Sequence, residues 1–279
     1  MFPYANSYVS YCERERHKSP ITINKETSAL KAFWSFYLAR IPSDNPRIDD
    51  VTSNDIRYFL DTLEQEKNYR KTTVNKYLSF IRSYFIYLYE HHLISYYPLL
   101  SIKGRSINLN QRVVINWEKH IEQIASLPLI QPFTVLTLIA ISLGYHTNEV
   151  ASLTRDDILS STNDTFIKEY VVNHTIKDKN DIAYLFPAAT KDGHLTANTL
   201  EQHYLKGNEK HLQMSLSLYQ LRISHIYGKL SQKVINKPKV LGELKLTEKT
   251  LVYYQYMLTN YVRLEKFVMP KPIRYSLPD

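Results

Sequence analysis

The sequence predicts a mainly α-helical chain of two domains, the second carrying one small β element, and three observations support this. The 279 residues suffice for about two domains of roughly 100–200 residues each, and 44% of them are hydrophobic, enough to fill two cores. From Ile21 to Lys103 apolar residues recur at helical spacing, and a polar stretch around Gly104 then precedes a second helical series containing a single strand-rich interval.

Taken in order, "TSALKAFWSFYLAR" places Leu30, Phe33, Trp34, Tyr37 and Leu38 on one helical face, and "IPSDNP" ends that helix. "VTSNDIRYFLDTLEQ" opens with Thr52, Ser53 and Asn54 as cap candidates and continues with Ile56, Phe59, Leu60 and Leu63. "YRKTTVNKYLSFIRSYFIYLYEHHLI" aligns Val74, Leu78, Ile81, Phe85 and Leu88, with Arg70, Lys71, Lys76 and Arg82 on or beside the other face, and Pro98 closes the bundle. The first domain is expected over residues 1–104, a linker over 105–113 and the second domain over 114–279, beginning with "INWEKHIEQIASLP". "LTLIAISLGYHTNEVASLTRDDI" reads as a buried helix, a tight turn and a further helix carrying Glu149. "TFIKEYVVNHTI" and "DIAYLFP" flank the turn "KDKN" and are expected to form a β-hairpin with Lys177 and Lys179 at its tip. Helices resume with "TANTLEQHYLK", capped by Thr196 or Asn198.

Composition narrows the function classes. The net charge is +8, with 14 basic and 11 acidic residues up to Gly104 and 21 and 16 after it, so both halves are positive, as suits a protein that holds a polyanion between its domains. Cys12 is the only cysteine, which excludes a disulfide framework and a thiolate zinc site and agrees with a reducing cytoplasm. The N-terminus lacks a secretory pattern, and the longest apolar run, Phe133 to Leu143, is too short to span a bilayer. With six glycines and neither a GxGxxG nor a Walker sequence, nucleotide-dependent chemistry is not expected. No cofactor or metal is called for.

Over roughly residues 20–260 the order and the motifs resemble the tyrosine recombinase (phage integrase) family. "TVNKYLSFIRSYFIYLYEHHLISYYPLLSIK" is similar to the end of the family's core-binding, SAM-like domain. "LGYHTNEVASLTRDDI" stands where the family has T-G-L-R-x-x-E-L-x-x-L-x-x-D-I: Gly144, Glu149, Leu153, Asp157 and Ile158 match, and the arginine position falls on His146. "YQLRISHIYGKL" resembles the H-x-L-R block, with Arg222 at its arginine and Tyr219 at its histidine. "VLGELKLTEKTLVYYQY" resembles L-G-H followed by the nucleophilic tyrosine, with Leu241 and Gly242 matching, Glu243 at the histidine, and Tyr253, preceded by Thr250, as nucleophile, Tyr254 being the second candidate.

The resemblance implies a two-domain, Xer-like protein with a recombinase catalytic-type second domain. In that chemistry a tyrosine attacks a DNA phosphodiester, conserving bond energy in a phosphotyrosyl link without metal or ATP. Two arginines bind the non-bridging oxygens as charge grows on them. Histidines assist the proton movements, and a hairpin lysine, here Lys177 or Lys179, protonates the leaving oxygen. His146 lacks the permanent charge and five-donor fork of arginine, and loss of one oxyanion donor costs about 10²–10³ in rate. Tyr219 cannot exchange a proton near neutrality as histidine does, and the carboxylate of Glu243 would repel a phosphate. Arg155 would need a rearranged loop to replace the arginine, whereas His225 could supply a histidine or DNA contact from another position.

The expected function is therefore duplex DNA binding, with cleavage impaired or lost, as a regulator or accessory factor. The alternative is an active recombinase with a divergent site, and a third reading is a helical protein–protein module. DNA contacts are expected from Arg70, Lys71, Lys76, Arg82, Lys179 and His225. Partners would be DNA and either further copies of the chain or another DNA-binding protein; the C-terminal segment from Tyr256 onward could dock on its own chain or on a neighbour.

Overall fold

The first helices form where local caps and apolar spacing agree. In the computed structural model, which describes residues 1–41, 46–179, 181–188, 193–232 and 236–270, helix α1 spans Ala5–Arg14 and α2 spans Pro20–Leu38. Ser19 accepts the backbone N–H of Thr22 and Pro20 occupies the first turn of α2, where its missing N–H costs nothing. Helix α3, Ser53–Gln65, begins with a reciprocal capping box between Thr52 and Asp55. Helix α4 runs Lys71–Glu90. Leu30, Phe33, Ile56, Leu60, Ile81, Phe85 and Leu88 meet in one core.

Helix α1 was not expected, although Ala5, Tyr8 and Cys12 form its buried face at helical spacing. It is tied to α2 through polar groups: Glu26, only 1% exposed, accepts from the Tyr8 hydroxyl and from Lys18 Nζ, each at 2.7 Å. Burial of a carboxylate is tolerated here because both partners converge on it. The "IPSDNP" breaker lies partly outside the described residues.

Contacts divide the chain into a unit of residues 1–108 and a unit of residues 109–279. Strand β1, Gln111–Ile115, starts inside the stretch expected as a linker. The alternation that buries Val113 and Ile115 outweighs the polar residues before it. Helix α5 is Ile121–Ala125 and α6 is Pro132–Ser142, the latter buried over nearly its whole surface. Helix α7, Arg155–Ser161, opens with a second capping box, from Thr154 and Asp157.

The expected hairpin is corrected: "TFIKEYVVNH" is helix α8, Thr165–His174. Asp164 caps it through Ile167 N–H, and Ile167 and Val171, one turn apart, supply its buried face. Tyr170 stacks on His174 at the same i, i+4 spacing, so helix period overrides the β-branched composition. Beyond α8 the chain turns, with Asp178 N–H donating to the Ile182 carbonyl at 2.8 Å, and Leu185 pairs with Leu153 at 2.9 Å. Asn180 of the "KDKN" turn lies outside the described residues.

Helices α9 (Ala197–Leu200), α10 (Glu209–Leu212), α11 (Leu218–Leu230), α12 (Lys237–Leu244) and α13 (Glu248–Tyr261) complete the unit, and strand β2, Val262–Lys266, comes after them. Thr196 caps α9. Strand β2 pairs in parallel with β1, from Gln111 opposite Val262 to Ile115 opposite Lys266. The tail to residue 270 is therefore docked on its own chain; residues 271–279 of the expected C-terminal segment lie outside the described residues. The mainly helical class with a small sheet is as the sequence predicts. Among the described residues, no helix is long and apolar enough to cross a membrane.

Candidate phosphate site and nucleic-acid contacts

The turn after α6 is built around Gly144. Its φ of +86° lies in the left-handed region, and a Cβ there would stand 2.2 Å from the backbone oxygen of Glu243, so only glycine lets the end of α12 approach. Glu149 closes the turn by accepting the His146 backbone N–H at 2.9 Å. His146 is thereby aimed at the end of α12, where its Nε2 lies 3.1 Å from the Lys245 carbonyl.

Helix α11 brings Arg222 to the same place. Ser217 caps the helix and Leu221, Ile223, Ile226 and Tyr227 pack it into the domain, leaving Arg222 only 5% exposed. Its Nη2 donates to the Leu244 carbonyl, while Nη1 is buried and has no hydrogen-bond partner among the described residues. Burial lowers the guanidinium's pKa, and the nearby Tyr254 and Glu149 act the other way. A guanidinium anchored through one nitrogen, with another donor unsatisfied, is suited to an anionic oxygen. His146 and Arg222 thus donate toward the successive carbonyls of Lys245 and Leu244.

The two candidate tyrosines differ. Tyr253 is 55% exposed, whereas Tyr254 is half-buried beside Tyr227 at a ring separation of 5.8 Å. Burial raises the Tyr254 phenol, Tyr219 adds to the rise, and Arg222 opposes it. Tyr254 therefore lies within electrostatic reach of Arg222. Tyr219 is 62% exposed at the start of α11. Glu243 pairs with Lys229 at 3.0 Å and Lys239 at 3.8 Å, and the hydrogen bond from Lys229 holds its carboxyl below the usual range. Its charge is balanced locally, which lessens the repulsion expected from its position.

Other expected contacts are placed differently. His225 is corrected as a DNA-contact candidate: its ring is 2% exposed and held 2.7 Å from Glu118, because its position on α11 faces the core. Arg82 is half-buried and donates to the Ile102 carbonyl at 2.9 Å, so its guanidinium secures the exit from the first domain. Arg70, Lys71 and Lys76 are exposed on α4, with Lys76 Nζ 5.8 Å from the Phe80 ring. Lys177 pairs with Asp181 at 2.7 Å, and Lys179 is exposed on the same turn. The backbone N–H of Arg155 binds the Ala183 carbonyl at the start of α7. Sequence reasoning passed over Lys245, whose signal was a cation two residues after Glu243 within the motif block. No group of three or more metal-ligating side chains is found among the described residues.

Residues 5–92 match the family model for the phage integrase N-terminal SAM-like domain. The fold is similar to that of lambda integrase in a dimer bound to a COC′ core site, with TM-score 0.63 and 12% identity, covering 90% of this chain and 94% of that one. It is similar to lambda integrase in a tetramer bound to a Holliday junction, with TM-score 0.60, 14% identity and coverage of 90% and 76%. The Tn1549 transposon integrase with circular intermediate DNA gives TM-score 0.64, 12% identity and coverage of 94% and 96%. No curated protein matches the chain by sequence. At these identities the structural likeness establishes the fold.

Proposed function

We propose that this chain, whose residues 5–92 match the phage integrase N-terminal SAM-like domain and which has the tyrosine recombinase fold, binds duplex DNA while cleaving it poorly or not at all. The observation that carries this is Arg222, a buried guanidinium fixed by the Leu244 carbonyl, whose Nη1 has no hydrogen-bond partner among the described residues and would take an outside acceptor once uncovered. Burying a cation in this way is unfavourable unless an anion joins it, and a DNA phosphodiester supplies one. Arg70, Lys71 and Lys76 add phosphate contacts from the first domain, and Lys179 with Lys177, once released from Asp181, adds them from the second.

Cleavage is impaired because His146 does not replace an arginine. Its ring lies against a backbone carbonyl and brings neither permanent charge nor a fork of donors. Binding survives this loss because its energy is spread over many phosphates, whereas transition-state stabilisation depends on the few donors at one phosphate. In this reading the protein is a cytoplasmic regulator or accessory factor, acting alone, as copies of itself on DNA, or beside another DNA-binding protein. No cofactor enters.

A second reading, an active recombinase with a divergent site, draws support from Tyr254 beside Arg222 and from the local balancing of Glu243. It uses Tyr254 rather than Tyr253 as nucleophile. The binding proposal is tested by titrating the chain with labelled random duplex across a salt series. Log affinity should fall linearly with log salt, with a slope of about −0.9 per phosphate neutralised. Affinity independent of salt would sink the reading and favour the protein–protein module.

A further inference from the structure

The turn between α12 and α13 holds a cation that the motif comparison does not assign. Lys245 caps α12 in the left-handed conformation, φ +47°, a region that L residues other than Asn and Asp seldom adopt. Three contacts fix the turn. Leu244 accepts from Arg222, the Lys245 carbonyl stands 3.1 Å from His146 Nε2, and the Lys245 ammonium lies 4.1 Å from the centre of the Tyr145 ring. Tyr145 is itself held, its hydroxyl donating to the Asp157 carbonyl at 2.9 Å.

Three of the other lysines around this turn are paired. Lys229 and Lys239 pair with Glu243, and Lys237 pairs with Glu248 at 3.2 Å. Among the described residues Lys245 has no carboxylate within ion-pair distance, and its side chain is exposed. An aromatic face restrains an ammonium without neutralising it. The ammonium therefore remains available to an anion while its backbone is locked to the two donors of the site.

We propose that Lys245 is a phosphate-contact residue of the Arg222 site and supplies there the positive charge that His146 does not. The inference rests on the DNA-binding reading. A phosphodiester oxygen accepting from Arg222 Nη1, once that nitrogen is uncovered, would be met from the turn by the ammonium after it leaves the Tyr145 ring. As a point charge it contributes attraction without the geometric fork of an arginine. This fits a site that retains phosphate affinity better than it retains phosphoryl-transfer chemistry.

The test is anisotropy of a labelled random duplex across a salt series, using the full chain. Lys245→Gln should lower the magnitude of the salt slope by roughly one and weaken binding about eightfold at 0.1 M salt. Lys245→Arg should restore both, and Lys245→Gly, which suits the left-handed turn, should reproduce the loss without disturbing the backbone. Lys237→Gln should leave the slope unchanged. Combined with Arg222→Gln, the loss should be less than the product of the single losses, since both side chains meet one phosphate. An unchanged slope in Lys245→Gln, with Arg222→Gln impaired, overturns the inference and leaves the DNA reading intact. Absence of salt-dependent binding by the unsubstituted chain overturns both.

Discussion

Replacing Gly144 with alanine should destabilise the second unit by about 3 kcal/mol or more, combining the left-handed backbone with overpacking against a fixed neighbour. The added Cβ would meet the Glu243 oxygen at 2.2 Å, and that oxygen belongs to backbone and has no rotamer by which to escape. For a unit of this size the loss corresponds to a fall in Tm of roughly 6–12 °C, measurable by calorimetry. Relief of the clash requires α12 to withdraw, which separates Leu244 from Arg222 and Lys245 from His146. DNA affinity should therefore fall at temperatures where the variant is still folded. An unchanged Tm would mean that the contact between the turn and α12 does not organise the site.

Arg222→Gln should weaken duplex binding by about 10- to 100-fold, the equivalent of roughly 1.5–3 kcal/mol for a charge-assisted hydrogen bond. Glutamine retains a donor able to reach toward Leu244 but carries no charge, so the variant separates the guanidinium's hold on the turn from its hold on phosphate. Salt titrations of the parent and variant measure the loss directly. A variant binding as tightly as the parent would leave the unpartnered Nη1 without a role.

The helices of the first domain were legible because caps and apolar spacing coincide there, as at Thr52 and Asp55 before Ile56, Phe59 and Leu60. Helix α1 was passed over because its face is made of Ala5, Tyr8 and Cys12, which carry little apolar contrast, and its anchor is a tyrosine bonded to a buried glutamate far along the chain. The hairpin expectation rested on the runs "TFIKEYVVNHTI" and "DIAYLFP" flanking the turn "KDKN", the first of which contains the β-branched Val171, Val172 and Thr175. The deciding signals, Asp164 as a cap and the i, i+4 pairs Ile167–Val171 and Tyr170–His174, favour a helix. Strand pairing between residues 111–115 and 262–266 joins opposite ends of the second unit, and no local pattern encodes a partner that distant.

For the site, the motif frame located Gly144, His146, Glu149, Arg222 and Glu243, and the structure brings their elements together around one turn. What the frame did not hold is side-chain direction. His225 and Arg82 carry the right chemistry on the wrong faces, enclosed by Glu118 and by the Ile102 carbonyl. Between the tyrosines, helix phase decides the environment: Leu251, Tyr254 and Met257 lie toward the domain, and Val252, Tyr253 and Tyr256 lie toward solvent. The spacing from Thr250 favours Tyr253, while proximity to Arg222 favours Tyr254 in any cleavage reaction.

The central claim is binding without efficient cleavage, and a nicked suicide duplex tests it most directly. The substrate is incubated with the full chain under conditions of demonstrated binding, and covalent protein–DNA adduct is quantified on a denaturing gel. The account predicts a retarded complex under native conditions and no adduct beyond the level given by the double variant Tyr253→Phe, Tyr254→Phe. Adduct that accumulates with the unsubstituted chain and disappears with Tyr254→Phe or Tyr253→Phe would contradict it and establish an active recombinase.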